Sequence, residues 1–261
     1  MSFIAVGQRI NDRLHAKAAA VRVQLETRLD RIMQAWLLVA GLASAIRIAF
    51  SPHRAPFGVD GVLPYVLLIL APFVSVVLAL RWFADGERQP QPQYRLARVG
   101  RWRRVSRAEA KAHPLYGASG IMVSLLVGML INVPVRALEY LAAMPAISGS
   151  VPPWLSVLHL MMTLDVVLLT SLYSIAFVAA LRHVPLFPRL LVAIWGLDLA
   201  MQLVTAEMVA GTPGLPQQVA DALHMLLSGN TKKVLISVAL WLPYLLMSKR
   251  VNVTYRHRLP R

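Results

Sequence analysis

Trp154-Leu-Ser-Val-Leu-His159-Leu-Met161-Met162-Thr-Leu-Asp165-Val-Val-Leu-Leu-Thr-Ser-Leu-Tyr173-Ser-Ile-Ala-Phe-Val-Ala-Ala-Leu181 runs for 28 residues with one charged side chain. A helix rises about 1.5 Å per residue and the hydrocarbon core of a bilayer is about 30 Å thick, so about 20 apolar residues cross it. This stretch is therefore read as a membrane span. Working outward, five more stretches qualify: 32–50, 62–83, 116–144, 186–210 and 234–247. The third span, 116–144, is long enough to tilt, and the last is short. The expected fold is an all-α polytopic membrane bundle of six transmembrane helices preceded by an N-terminal amphipathic helix.

Composition agrees. The chain of 261 residues is 57% hydrophobic, yet carries 27 Lys and Arg against 12 Asp and Glu, a net charge of +15. A mean hydropathy of +0.58 is more apolar surface than one soluble core hides. A soluble enzyme, a disulfide-stapled secreted domain and a disordered chain are excluded. The absence of cysteine says nothing about compartment.

The cations fix an expected orientation. Of 27 Lys and Arg, 22 fall in four places: 1–31, 81–111, the link holding Arg182 and Arg189, and the tail from Lys249. The alternate loops hold only Arg54, Lys232 and Lys233. Both termini are expected in the cytoplasm. No cleavable signal peptide is read, because the first apolar run follows about 30 charged, amphipathic residues. Four segments result: an amphipathic helix over 1–31, a two-span hairpin over 32–84, a basic linker over 85–115 and a four-span unit with its tail over 116–261.

In the arm, Ile10, Leu14, Val21, Leu25 and Ile32 form one stripe opposed by basic residues. Such a helix lies along an anionic inner leaflet or docks on a partner helix. In the linker, Gln89-Pro90-Gln91-Pro92-Gln93 cannot be helical. The cluster around Trp102, Arg103 and Arg104 is expected to anchor at the lipid headgroups; nucleic acid is not an expected partner. Beyond span five, Pro216, Val219, Leu223 and Leu226 mark a separate short amphipathic helix stopped by Gly229.

The most specific pattern closes the last span: Trp241-Leu-Pro243-Tyr244-Leu-Leu-Met-Ser248-Lys249-Arg250-Val251-Asn-Val-Thr254-Tyr255. It resembles the closing signature W-x-P-Y-x-x-x-S-x-R-V-x-x-T of a bacterial inner-membrane family known as domain of unknown function twenty-five sixty-nine. Gly117, Gly120, Gly128, Pro134 and Arg136 echo that family's Gly-rich first helix and its later Pro-x-Arg. Ala118, Ser119 and Met122 depart from it. The resemblance covers about residues 115–261 and implies a four-span inner-membrane unit with no established activity. Read physically, Trp241, Tyr244, Lys249 and Arg250 anchor the helix at the inner interface, and Pro243 bends it.

Ionisable residues within spans are the default functional candidates. Counted from the outer ends at about 1.5 Å per residue, Arg47 and Glu207 lie about 5 Å deep, Glu139 and His159 about 8 Å, Arg136 about 12 Å, Asp165 about 16 Å and Asp198 about 18 Å. Arg136 and Glu139 share a helix face, and Arg136 matches Asp165 in depth. The expected cluster has Arg136 bridging Asp165 and Glu139, with Asp198 and Gln202 nearby. It serves as a register lock or as an outward-facing pocket for a solute or proton. Gly120, Ser124 and Gly128 recur every four residues as a helix-packing face.

No catalytic motif is present: G-x-S-x-G, a phosphate loop and a dinucleotide fingerprint are all missing. No metal or other cofactor is expected. The reading is a non-catalytic membrane protein meeting anionic lipid and a protein partner or a second copy of itself. A small-solute or proton-coupled transporter is the alternative, and a lipid-active enzyme using Glu139, His159 and Glu207 the third.

Overall fold

The computed structural model describes residues 20–21, 23–52, 58–93, 100–147 and 149–261. Most of the arm (1–19 and 22) and part of the basic linker (94–99) lie outside these, and so do Ile10, Leu14 and Arg54. Among the described residues, five helices are long and apolar enough to cross a membrane. They are α1 (Leu29–Ala49), α2 (Val59–Trp82), α4 (Ile121–Ala143), α5 (Pro153–Leu181) and α6 (Phe187–Ala210). The count rises to six if α7 (Gln217–Met247) and α8 (Lys249–Arg256), bent by 69° at Ser248, are taken as one broken span. A short α3 (Arg107–Ala112) and two strands, β1 (Trp102–Arg104) and β2 (Arg258–Pro260), complete the fold. The chain is an all-α multi-pass membrane bundle.

The 28-residue stretch that opened the reading lies within α5, the most buried of the spans. Pro153 sits in its first turn, where a missing N–H costs nothing. Its hydroxyls turn inward on their own helix: Thr163 Oγ1 donates to the His159 carbonyl at 2.7 Å and Thr170 Oγ1 to that of Val166 at 2.6 Å. That satisfies polar groups where no water reaches. Helices α2, α4 and α6 all pack on α5, while α1 leans on α2 and α7 on α6. The first two spans are tied to each other where Trp36 Nε1 donates to the Ile69 carbonyl at 2.9 Å, in the turn before Pro72, and to the rest of the bundle through Met144. Arg47 Nε and Tyr65 Oη both donate to the Met144 carbonyl, at 3.0 and 3.2 Å. Arg47, expected as an intramembrane charge, thus ties the end of α1 to the loop after α4.

Two apolar clusters hold the bundle, one toward each end. The larger joins Leu126, Phe177, Phe187, Leu191, Leu245 and Tyr255; the other joins Tyr65, Leu68, Tyr140, Leu158 and Val209. The described end of the arm packs on the first through Leu25 and Leu29, with Val21 and Ile32 beside them. Its stripe is used there by the bundle itself.

Two sequence expectations are corrected. Helix α7 runs unbroken through Gly229, so the outer amphipathic helix and the short last span are one element. A glycine inside a helix costs about 1 kcal/mol and does not by itself end it; Leu223 and Leu227, buried on the second cluster, continue into Val234 on the first. Pro243 lies inside α7, and the 69° break comes five residues on, at Ser248. The third span begins at Ile121, not at 116: Gly117 (φ 96°) and Gly120 (φ 61°) hold a turn that a side chain would strain.

The closing signature is a structural clamp. Val251, Asn252, Val253, Thr254 and Tyr255 are all buried. Arg250 Nη1 donates to the carbonyls of Leu115 (3.2 Å) and Gly117 (3.3 Å) and to Ser119 Oγ. Thr254 Oγ1 accepts from the Gly117 N–H at 3.0 Å, and Tyr255 Oη donates to the Ala180 carbonyl at 2.9 Å. The expectation that Arg250 contacts lipid phosphate is replaced by this bonding, whereas Lys249 remains exposed. Trp241 and Tyr244 stack edge-on, their ring centroids 5.9 Å apart.

Trp102 and Arg104 also take an unexpected place. With Arg103 they form β1, antiparallel to β2, with Trp102 opposite Pro260 and Arg104 opposite Arg258. Arg103 Nη2 pairs with Glu109 Oε1 at 2.6 Å. Ser106 Oγ caps α3 by accepting from the Glu109 N–H at 3.1 Å.

Candidate functional site

The polar centre lies between the two apolar clusters, where α4, α5 and α6 meet. Arg136 Nη1 donates to Asp165 Oδ2 at 3.0 Å, the pair their depths predict, and Nη2 donates to Asp198 Oδ2. Tyr173 Oη donates to the same Asp198 oxygen at 3.2 Å, and its ring centroid lies 5.9 Å from the guanidinium carbon. Gln202 Nε2 sits 3.3 Å from both Asp165 Oδ1 and Asp198 Oδ1. Asp198 is fully buried; Arg136 is 9% exposed and Asp165 13%. Charges so placed need partners in the bundle, because an unpaired one costs about 3 kcal/mol at this depth.

Glu139 is not in this network. It pairs with Lys233 of α7, so the expected Arg136–Glu139 bridge is replaced by Arg136–Asp198. Residues three apart share a helix face, but one turn up that face the neighbour is α7, not α6. His159 and Glu207 stay apart as well. The His159 ring packs 6.4 Å from that of Tyr140, whose hydroxyl lies 2.9 Å from Thr163 Oγ1, and Glu207 is exposed on α6.

Helices α4 and α7 lean on α5 and α6 but do not pack along each other. The gap is a cavity of about 160 Å³ whose polar lining includes Asn132, Arg136, Glu139, Asp198, Lys233 and Ser237. The Glu139–Lys233 pair crosses it. Of the packing face read from sequence, Gly128 borders this cleft; Ser124 and Gly128 are both exposed, and a Cβ on Gly128 would meet nothing within 4 Å. Gly120 instead caps α4.

Lys233, Tyr173 and Ser237 escaped the sequence reading as site residues. Tyr173 follows Asp165 by eight residues, a little over two turns, and that spacing was the available signal. Lys233 reads as a loop cation until α7 is known to be continuous. Among the described residues, no three His, Asp or Glu side chains converge as a metal would require. The chain matches no protein-family model, no curated protein and no solved structure among those it was compared with.

Proposed function

We propose that this chain is a non-catalytic accessory or scaffold subunit of the bacterial inner membrane, with both termini cytoplasmic, and that the α4–α7 cleft receives a transmembrane helix of a partner. One observation carries the reading: the small or polar residues Gly128, Asn132 and Ser237 border the cavity between two spans. Small residues let helix backbones approach closely in lipid, and polar ones bond across the contact. The Glu139–Lys233 pair that crosses the gap is matched within the chain, which supports packing more than solute capture. The cation bias supports the orientation, and the closing signature supports kinship with domain of unknown function twenty-five sixty-nine. Purification from the native host in mild detergent tests the function. A stoichiometric membrane protein travelling with the chain is expected; a chain that purifies alone would overturn it.

A second reading, a small-solute or proton-coupled transporter, draws on a different observation. One guanidinium at the wall of the 160 Å³ cavity is shared by two carboxylates, Asp198, which also lines it, and Asp165 behind. Uptake of a proton or small cation by reconstituted vesicles, abolished by Asp165→Asn, would favour it.

A further inference from the structure

At the end of the bundle that carries the tail, a second cavity of about 340 Å³ is enclosed by strands, linker and helix ends. Four arginines line it from three directions. Arg104 comes from β1, Arg189 from the first turn of α6, and Arg256 and Arg258 flank the junction of α8 and β2. Among the described residues that line it, none is acidic. The nearest acidic groups are engaged elsewhere, Glu87 with Lys111 and His183, and Glu109 with Arg103.

The arrangement is built, not a loose surface cluster. The two-stranded ribbon sets Arg104 directly opposite Arg258. Arg256 is held by Nη1, which donates to the Leu246 carbonyl at 3.3 Å and Asn252 Oδ1 at 3.2 Å. Its Nη2 is buried without a hydrogen-bond partner among the described residues. Gln91 is fixed by a 3.0 Å bond from Nε2 to the Tyr255 carbonyl. Pro185 and Pro188, at the start of α6, line the same space beside Arg189. Burial and the Arg107 charge hold His257 below the usual imidazole range, against the opposite pull of Glu87, so the positive charge here is arginine's. Guanidiniums around one space repel one another, and an anion between them relieves that repulsion.

We infer that this cavity binds a phosphate-type anion, either free inorganic phosphate or the phosphate headgroup of a lipid, gripped by Arg104, Arg189, Arg256 and Arg258. Planar guanidiniums match phosphate oxygens in paired hydrogen bonds, whereas a lysine offers only a point charge. The site is distinct from the α4–α7 cleft and does not depend on the function proposed for it.

The test uses the full chain in mild detergent. Thermal unfolding is followed with millimolar sodium phosphate against sodium chloride at equal ionic strength, which removes general screening. In parallel, native mass spectrometry compares retention of phosphatidic acid with phosphatidylcholine. A phosphate-specific rise in Tm without a lipid adduct assigns free phosphate; selective retention of phosphatidic acid assigns a headgroup; either supports the site. Arg189→Gln weakens the effect about tenfold or more, whereas Lys232→Gln, at the far end of the bundle, leaves it intact. Arg256→Gln also removes bonds to Leu246 and Asn252, so Arg189→Gln, which spares them, decides the matter. Neither a Tm rise nor selective retention, or an effect undiminished in Arg189→Gln, would overturn the site.

Discussion

Arg136 Nη1 lies 3.0 Å from Asp165 Oδ2, and the other arm of the same guanidinium reaches Asp198, so one cation on α4 ties α5 to α6. The two carboxylates are unequal. Asp198 is fully buried and also takes the Tyr173 hydroxyl. Removing the shared cation leaves two buried carboxylates facing each other, whereas removing Asp165 leaves a charge-matched pair. Arg136→Gln therefore loses about 3–5 kcal/mol of stability. Asp165→Asn loses about 1 kcal/mol, the scale of one hydrogen bond. Unfolding curves in one detergent read the difference, and equal losses would contradict it.

The tail gives a second asymmetry. Neighbouring Lys249 and Arg250 have opposite surroundings, one exposed and one bonded to the 115–119 turn. Arg250→Ala is expected to lower Tm clearly and Lys249→Ala to leave it unchanged. Tyr255→Phe, losing only the bond to Ala180, costs about 1 kcal/mol. If both basic residues were lipid anchors, the two alanine variants would behave alike in detergent.

Gly229 tests the continuity of α7. Its Cβ direction is open, with nothing within 4 Å. Gly229→Ala is expected to raise stability by about 0.5–1 kcal/mol, the usual gain in a helix interior. A glycine that stopped the helix would give the opposite sign. Gly86→Ala is the contrasting control, because its Cβ would sit 2.7 Å from both the Arg182 carbonyl oxygen and Val184 Cγ2.

Acid should loosen the linker end of the bundle. Burial alone would raise the Glu87 pKa, but hydrogen bonds and charges from Lys111 and His183 win and hold it below the ordinary 4.5. A depressed carboxylate contributes stability above its unfolded value and loses that contribution as pH falls through the folded one. Stability should thus decline below about pH 4.5 in the native chain. In Glu87→Gln that part of the decline disappears, which pH-dependent unfolding would register.

The spans were legible because lipid leaves a long apolar signal that no loop imitates, and the Arg136–Asp165 pair followed from matched depth. The remaining features depend on which helices neighbour each other, which spacing along one helix does not encode. Glu139 shares a face with Arg136 yet meets Lys233, and Asp198 takes the place expected for Glu139. The ribbon joins residues more than 150 apart through strands of three residues, too short for any alternation to show. The closing signature was visible as a pattern, but its burial was not, because arginine and tyrosine at a span's end usually face headgroups.

The orientation has its own test. Alkaline phosphatase fused after Gly149 should be active and the same enzyme fused after Arg104 silent. The reverse pattern would turn the bundle over and place the arginine cavity outside.

Whether the α4–α7 cleft holds a partner helix is tested most directly by a photo-crosslinking residue placed in turn at Gly128, Asn132 and Ser237, in membranes of the native host. Leu203, exposed on α6, serves as the reference position. The account predicts one discrete product, containing this chain and a single membrane protein, from the three cleft positions and not from Leu203. Lipid adducts alone, or the same products at the cleft and at Leu203, would contradict it.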